Sequence, residues 1–140
     1  MTVKTTTHLN FRGTARAALE FYQAAFGGQL AAFTYKDVGA VQNPAEADQI
    51  MWGQVEAESG FRIMAYDVPS RLSYAPGDNP FFVSLRGTDP DELKALWEKL
   101  SAGATVIQPI GPAAWSPVYG MLKDQFGVTW VVDLEVPYQA

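Results

Sequence analysis

The sequence predicts an α+β fold that is built from two tandem βαβββ modules. The tripeptide Arg-Gly-Thr occurs at residues 12–14 and again at 86–88, an offset of 86 − 12 = 74 residues, which is about half of the 140-residue chain. Each copy follows a stretch rich in β-branched and aromatic residues and precedes an amphipathic run. The halves also end alike, with Asp-Val-Pro at 67–69 and Glu-Val-Pro at 135–137. A fixed long period of this kind is typical of an internal duplication.

Composition narrows the function classes. Hydrophobic residues make up 48% of the chain and charged residues 18%, which is typical of a globular protein with a sizeable core. A formal net charge of −5 argues against a nucleic-acid or anionic-membrane partner, because phosphate surfaces attract Lys and Arg. The absence of cysteine excludes disulfides, thiolate metal sites and a cysteine nucleophile. No apolar stretch approaches the ~20 residues that cross a bilayer, so we expect a cytoplasmic location.

The first half predicts a strand, a helix and three further strands. Residues 5–11 mix β-branched and aromatic side chains and predict the first strand. A helix is predicted next, because apolar side chains recur at spacings of four, three and four: Ala15, Leu19, Tyr22 and Phe26. Thr14 is the expected N-cap of this helix, and the Gly-Gly pair at 27–28 is its expected end. The remaining strands are expected at 30–35, 50–56 and 61–66.

A segment rich in proline and glycine separates the two predicted modules. Residues 69–80 contain three prolines and no hydrophobic periodicity, which is typical of a linker. Module one therefore comprises residues 1–68 and module two residues 81–140. We expect the two modules to form a single domain that spans residues 1–140.

The second half predicts the same order of elements. Its helix has a strong start signal, because Asp89 can cap it, Pro90 suits its first position and Glu92 can reach back to the cap. Strands are expected at 81–85, 105–107, 118–123 and 128–134. Residues 109–117 are predicted to form a loop before the closing hairpin.

Five motifs carry a resemblance to a known family: LNF at 9–11, ALEFY at 18–22, FGG at 26–28, YGM at 119–121 and DQFGVTW at 124–130. With these motifs the chain resembles the vicinal oxygen chelate superfamily, which comprises glyoxalases, bleomycin-resistance proteins and extradiol dioxygenases. It is most similar to the PhnB-like branch. The resemblance implies cupped mixed sheets of the glyoxalase/bleomycin-resistance type that enclose a small-molecule pocket. It also implies a homodimer, in which the pocket is closed within one chain or by the second one.

The resemblance further implies where a divalent metal would be held. Enzymes of the family use four side chains, usually His or Glu, one from each of four strands, and His8 stands at the first of these positions. The 74-residue offset assigns Phe82 to the corresponding position of module two, and counting from the turn glycines gives Met64 and Val131. Phenyl and isopropyl groups have no lone pair, and a thioether suits a hard or borderline cation poorly. We therefore expect no catalytic metal, with His8 as the single remnant ligand.

The remaining candidate site residues are largely aromatic. Alternation places Trp52, Gln54 and Glu56 on one face of their strand, and Phe82 and Ser84 on one face of theirs. The predicted ligand pocket comprises His8, Trp52, Gln54, Tyr66, Phe82, Trp115, Tyr119 and Trp130. A mainly aromatic pocket suits a planar or hydrophobic small molecule. For any single ring, packing in the core is the alternative interpretation.

Two functional hypotheses follow. The first is a binding protein that sequesters or senses a small apolar molecule without a metal, as bleomycin-resistance proteins do. The second is a metal-dependent lyase, isomerase or dioxygenase with an atypical site around His8 and Glu56. Arg12 and Arg86 are candidates for holding an anionic ligand, although the preferred interpretation is that they cap turn carbonyls or lie exposed at strand ends. No glycine-rich phosphate loop follows a strand and no G-x-S-x-G motif occurs, so neither nucleotide chemistry nor a serine triad has support.

Overall fold

A computed structural model describes residues 2–137 and divides the chain into two compact units, Met1–Pro76 and Gly77–Ala140. The boundary falls inside the segment 69–80 that the sequence predicts as a linker. Each unit contains a four-stranded mixed sheet and one α-helix, so the α+β fold of two tandem βαβββ modules is confirmed.

Unit 1 is formed by β1 (Thr7–Phe11), α1 (Ala15–Phe26), β2 (Gln29–Thr34), β3 (Ile50–Glu56) and β4 (Arg62–Asp67). A short 3₁₀ turn at Pro44–Glu46 interrupts the long loop between β2 and β3. The strand order is β1-β4-β3-β2, in which β1 and β4 are parallel and the other pairs antiparallel. Helix α1 packs on one face and buries Leu19 and Tyr22 against the sheet. We call the opposite face, which α1 does not cover, the far face of unit 1.

Unit 2 is formed by β5 (Val83–Gly87), α2 (Pro90–Leu100), β6 (Thr105–Ala113), β7 (Ser116–Lys123) and β8 (Thr129–Leu134). Its strand order is β5-β8-β7-β6, with β5 and β8 parallel. Helix α2 buries Leu93, Trp97 and Leu100. Asp89 caps this helix as predicted, because its Oδ1 accepts hydrogen bonds from the backbone N–H groups of Asp91 (3.0 Å) and Glu92 (3.4 Å).

The ladders correct the offset between the first strands of the two modules from 74 to 76 residues. The last pair of the β1–β4 ladder is Phe11 with Asp67, and the last pair of the β5–β8 ladder is Gly87 with Leu134. Phe11 and Gly87 are therefore equivalent, and 87 − 11 = 76. The repeated tripeptide misleads because residues 12–14 follow their strand, whereas the second copy begins inside β5.

Two strands of unit 2 differ from the prediction. Strand β6 runs through residues 109–113, which the sequence predicts as loop on the strength of its prolines. This strand lies at the edge of the sheet, where the missing N–H of a proline costs no ladder bond if it faces outward, and its pairing with β7 shifts register repeatedly. Strand β5 begins at Val83 rather than at residue 81, so Phe81 and Phe82 precede it and are exposed.

Helix α1 is capped from a distant strand rather than by the residue that precedes it. Thr14 occupies the N-cap position, but its side chain makes no cap hydrogen bond. Asp67 of β4 is 2% exposed, and its Oδ1 accepts hydrogen bonds from the backbone N–H groups of Gly13 (2.7 Å) and Ala15 (3.1 Å). Its Oδ2 accepts from the backbone N–H of Ile50 (2.9 Å). One carboxylate thus joins α1, β3 and β4 and lies at the positive end of the helix dipole.

Backbone conformation and close packing favour glycine at both positions of the Gly-Gly pair after α1. Both residues have positive φ, 77° at Gly27 and 95° at Gly28, which disfavours side chains with a Cβ. A Cβ at Gly27 would meet no heavy atom within 4 Å. A Cβ at Gly28 would overlap the backbone of Glu56 and Ala57, at the end of β3. The second glycine therefore allows the chain to pass close to the neighbouring strand.

We expect Gly28→Ala to lower the free energy of unfolding by about 2 kcal/mol and Gly27→Ala by about 1 kcal/mol. Both substitutions force an alanine to positive φ, and the one at Gly28 adds the overlap with the β3 backbone. Urea denaturation followed by far-UV circular dichroism measures the difference. Equal losses in the two variants would show that the close approach at Gly28 contributes nothing.

The DQFGVTW motif stabilises the β7–β8 hairpin. Asp124 is buried, and its Oδ1 accepts hydrogen bonds from the backbone N–H groups of Phe126 (2.9 Å) and Val128 (3.0 Å). Its Oδ2 accepts from the indole Nε1 of Trp130 (2.8 Å). Trp130 is 0% exposed and pairs with the fully buried Leu122. Its place in the core corrects the prediction that Trp130 lines a ligand pocket.

Candidate functional site

Four rings cross the far face of unit 1, one from each strand. We call them the aromatic row: His8 on β1, Tyr66 on β4, Trp52 on β3 and Phe33 on β2. The His8 and Tyr66 rings meet edge to face, with their centroids 5.1 Å apart. The Phe33 and Trp52 rings are tilted by 39°, with centroids 5.7 Å apart. These separations fall in the range over which ring pairs attract one another, so the row consists of two ring pairs, His8 with Tyr66 and Phe33 with Trp52.

Strand alternation and ladder register explain why these side chains share a face. On β1 the residues Leu9 and Phe11, which point to the other face, are buried, whereas His8 and Asn10 are exposed. His8 pairs with Met64 and Gln54 also pairs with Met64, so the three side chains stand side by side across β1, β4 and β3. Phe33 pairs directly with Trp52. The structure therefore brings together four predicted site residues: His8, Trp52, Gln54 and Tyr66.

Two polar pairs lie beside the row. Nδ1 of His8 is 3.2 Å from Oδ1 of Asn10, which is within hydrogen-bond distance. Nε2 of Gln54 donates to Oε2 of Glu56 at 3.0 Å. Both pairs are exposed, so their remaining donors and acceptors are available to a bound molecule.

The positions at which the resemblance implies metal ligands carry a poor set of donors. With the corrected offset, the counterpart of His8 is 8 + 76 = 84, which is Ser84 and not Phe82. Ser84 pairs with Val131 just as His8 pairs with Met64, so these four positions are equivalent in the two units. A hydroxyl, an isopropyl group and a thioether do not form the usual ligand set with one imidazole. Between residues 2 and 137, no group of three or more His, Cys, Asp or Glu side chains is placed to hold a metal ion.

The candidate residues of unit 2 occupy different surroundings. Tyr119 lies on β7, and its ring meets that of Trp115 edge to face at 5.0 Å. Trp115 lies in the turn between β6 and β7 and is 62% exposed. Phe82 precedes β5 and is 44% exposed. Unit 2 therefore brings together Trp115 and Tyr119 and leaves Phe82 outside its sheet.

The two arginines of the repeated tripeptide have different partners. The guanidinium of Arg12 donates to three backbone carbonyls, those of Val68 (3.1 Å), Pro69 (3.2 Å) and Leu72. It also lies 5.3 Å from the ring centroid of Tyr74, close enough for a cation–π contact. Arg86 instead forms ion pairs with Asp133 (3.1 Å) and Glu135 (3.5 Å). The preferred interpretation of Arg12 as a cap for carbonyls is confirmed, and it attaches the segment after β4 to unit 1.

A cavity of about 480 Å³ lies in unit 1, between the loop after β2 and the segment after β4. The β2–β3 ladder contains a bulge here, since Phe33 pairs with Trp52 and Thr34 with Ile50, which leaves Met51 without a partner. Met51 lines the cavity. Bulges often redirect a side chain beside a functional site.

Charged and phenolic groups give the cavity its electrostatic character. The hydroxyl of Tyr35 donates to the backbone carbonyl of Asp67 at 2.6 Å. Burial, followed by the nearby Tyr66, Asp67 and Glu46, raises the pKa of Tyr35, while Arg71 acts in the opposite direction. Tyr35 therefore remains a neutral donor at neutral pH. Glu46 is held in place, because its Oε1 accepts from both the backbone N–H (3.3 Å) and the hydroxyl (3.0 Å) of Ser70.

Phe33, Met51 and Arg71 are among the residues of these regions that the sequence does not predict as site residues. Phe33 alternates with inward-facing neighbours on β2, so the period-two pattern could have identified it. Met51 is displaced by a bulge, which leaves no mark in the apolar pattern. Arg71 lies in the segment interpreted as a linker, and nothing in its neighbourhood indicates a cavity.

A sequence model of the Glyoxalase/Bleomycin resistance protein/Dioxygenase superfamily matches residues 7–132. No curated protein matches the chain. Among solved structures, protein PA1353 from Pseudomonas aeruginosa is 32% identical, with a TM-score of 0.82 over 96% of this chain and 98% of that one.

Helices α1 and α2 are too short to cross a bilayer, and no helix within residues 2–137 is long and apolar enough to do so.

Two more distant structures share the fold. A putative 3-demethylubiquinone-9 3-methyltransferase, PhnB protein, from Bacillus cereus is 22% identical, with a TM-score of 0.72 over 95% of this chain and 100% of that one. A glyoxalase/bleomycin resistance protein/dioxygenase family enzyme from Burkholderia phytofirmans PsJN is 15% identical, with a TM-score of 0.63 over 94% and 97%. The match to the family model covers most of the chain and both units. The chain therefore belongs to the glyoxalase/bleomycin resistance protein/dioxygenase superfamily.

Proposed function

We propose that this chain is a PhnB-like member of the superfamily that binds a small apolar or aromatic molecule on the aromatic row, without a catalytic metal. The observation that carries the proposal is the row itself. Its four rings lie on the face that α1 leaves uncovered, and Phe33 is 48% exposed although it is a large apolar side chain. A flat apolar molecule that covers these rings removes their surface from water, which is the main source of affinity for such ligands.

The polar groups beside the row supply orientation. Gln54 and Asn10 carry amides, and His8 carries a ring nitrogen, all on the same face of the sheet. A few such groups around an apolar surface are typical of small-molecule sites, where they select among ligands of similar shape. We therefore expect a planar ligand that has one or two hydrogen-bonding groups at its edge.

The donor set supports binding without a metal. His8 is the single side chain among the four equivalent positions that suits a divalent cation, and its neighbours in the ladder offer a thioether and an amide. Glu56, the partner in the metal-dependent alternative, lies on β3, which β4 separates from the strand of His8, and it accepts a hydrogen bond from Gln54. The expected homodimer and cytoplasmic location stay predictions.

Calorimetric titration with 2-naphthol, a planar aromatic probe, tests this proposal. Trp52→Ala removes one of the two inner rings of the row and should weaken binding at least tenfold, which corresponds to about 1.4 kcal/mol. Phe81→Ala removes an exposed ring outside the sheets and serves as the matched control, with an expected change of less than twofold. Equal affinities of the wild type and Trp52→Ala, or no binding by the wild type, would contradict the proposal.

Metal analysis of protein purified without a chelator decides between the two hypotheses. We expect metal well below one equivalent per chain. Near-stoichiometric Zn²⁺, Ni²⁺, Mn²⁺ or Fe²⁺ that is lost in His8→Ala would favour the metal-dependent enzyme instead.

A further inference from the structure

We propose that the cavity of unit 1 is a second binding site, which accepts a small carboxylic acid with an apolar body and pairs its carboxylate with Arg71. The site is distinct from the aromatic row, because its walls come from the loop after β2 and the segment after β4. Its volume of about 480 Å³ falls within the ordinary range for small-molecule sites, about 300–1,000 Å³.

The cavity offers an apolar surface to the body of the ligand. Met51, Val41, Ala40 and Pro69 contribute to its lining. Met51 is present there because of the bulge in β3, and its flexible thioether adapts to ligands of different shape. A short aromatic or branched aliphatic chain matches these walls better than a sugar or a nucleotide does.

The lining carries one cation, Arg71, and one anion, Glu46, and the two differ in what engages them. Within residues 2–137, no hydrogen bond or salt bridge engages the guanidinium of Arg71, although it lies near enough to Tyr35 to affect the pKa of that phenol. Oε1 of Glu46 accepts hydrogen bonds from Ser70, which fix this carboxylate but leave its charge in place. Arg12 is engaged by backbone carbonyls and is not part of the lining. Arg71 is thus the cation of this site that has no partner.

The geometry of the charged group indicates a carboxylate. A guanidinium binds a planar carboxylate through two parallel hydrogen bonds, which gives both strength and orientation. A phosphate dianion would meet one cation and the carboxylate of Glu46, so its second charge would lack compensation. The amide of Gln42, which also lines the cavity, can supply a further donor.

Calorimetric titration of the full chain with 4-phenylbutyrate and its neutral amide, 4-phenylbutyramide, tests this inference. We expect the acid to bind at least fivefold more tightly than the amide, and we expect the difference to shrink as salt is added. Arg71→Gln should remove the difference, and the matched surface variant Arg16→Gln should retain it. Equal binding of acid and amide by the wild type, or an unchanged preference in Arg71→Gln, would overturn the inference, as would no binding of either compound at millimolar concentration.

Two further variants separate this site from the aromatic row. Ala40→Trp places an indole in the cavity and should abolish binding of 4-phenylbutyrate while the affinity for 2-naphthol changes by less than twofold. Trp52→Ala should weaken binding of 2-naphthol while the affinity for 4-phenylbutyrate changes by less than twofold. If Trp52→Ala abolished binding of the acid and Ala40→Trp did not, the acid would bind on the aromatic row and the cavity would not be its site. Far-UV circular dichroism confirms that each variant is folded.

Discussion

We expect replacement of Asp67 by Asn to lower the free energy of unfolding by about 4 kcal/mol. The carboxylate accepts three hydrogen bonds from buried or partly buried backbone N–H groups, those of Gly13, Ala15 and Ile50. An asparagine of the same shape has one acceptor oxygen, so its NH₂ group must face at least one of these N–H donors. The variant also removes the negative charge from the N-terminus of α1, where the helix dipole stabilises it.

Urea denaturation followed by circular dichroism measures this loss. Asp48→Asn is the matched control, since Asp48 is exposed and the same chemical change there should alter stability by less than about 0.5 kcal/mol. If Asp67→Asn were as stable as the control, the three hydrogen bonds would not contribute to folding, and the cap of α1 would have to come from elsewhere.

Replacing Trp130 by Ala should cost about 4 kcal/mol, whereas Trp115→Ala should cost less than about 0.5 kcal/mol. Trp130 is fully buried, so its removal leaves a large cavity, and it also deprives Oδ2 of the buried Asp124 of its indole donor. Trp115 is exposed at a turn. The contrast is informative because the sequence alone assigns both tryptophans to the same pocket.

Guanidinium chloride denaturation of the two variants provides the measurement. A larger loss in Trp115→Ala than in Trp130→Ala would reverse the assignment of core and surface in unit 2. Trp130→Phe adds a finer test, because it keeps an aromatic ring and removes the N–H, and it should lose less stability than Trp130→Ala.

Local signals in the sequence predict most of the elements. The start of α2 is readable because its cap, Asp89, immediately precedes the helix and bonds to N–H groups two and three residues later. The cap of α1 is not readable, because Asp67 is 52 residues from Ala15 and belongs to another strand. Thr14 looks equally suitable by residue type, yet it makes no such bond.

The offset between the modules differs according to whether identical residues or strand pairings are aligned. Identical tripeptides suggest an offset of 74, but the ladders require 76. Because strand side chains alternate with period two, an error of two residues keeps the face and shifts the position along the strand. Phe82 therefore falls just before β5, and Ser84 takes the place opposite Val131. Ser84 has the hydroxyl lone pairs that Phe82 lacks, but a hydroxyl is not among the usual His or Glu ligands of such a site.

The sequence predicts those site residues whose placement depends only on the alternation of side chains along a strand. Trp52 and Gln54 share a face two residues apart, as the pattern predicts, and the ladder adds His8 through Met64. The assignment of Trp130 to the pocket is wrong because alternation does not indicate which face of a strand the helix covers. In the structure the indole of Trp130 is buried and donates to Asp124, and the alternation of side chains does not predict this hydrogen bond.

The different origins of the two helix caps have a consequence for the order in which the chain folds. In unit 2 the signal that starts α2 lies within three residues of the helix, so this helix can begin to form before any strand has paired. In unit 1 the first turn of α1 lacks its acceptor until β4 has been placed beside β1 and β3. We therefore expect the two modules to differ in how their helices form: the helix of the second can start from a local event, and that of the first gains its cap from a contact that closes a loop of about fifty residues.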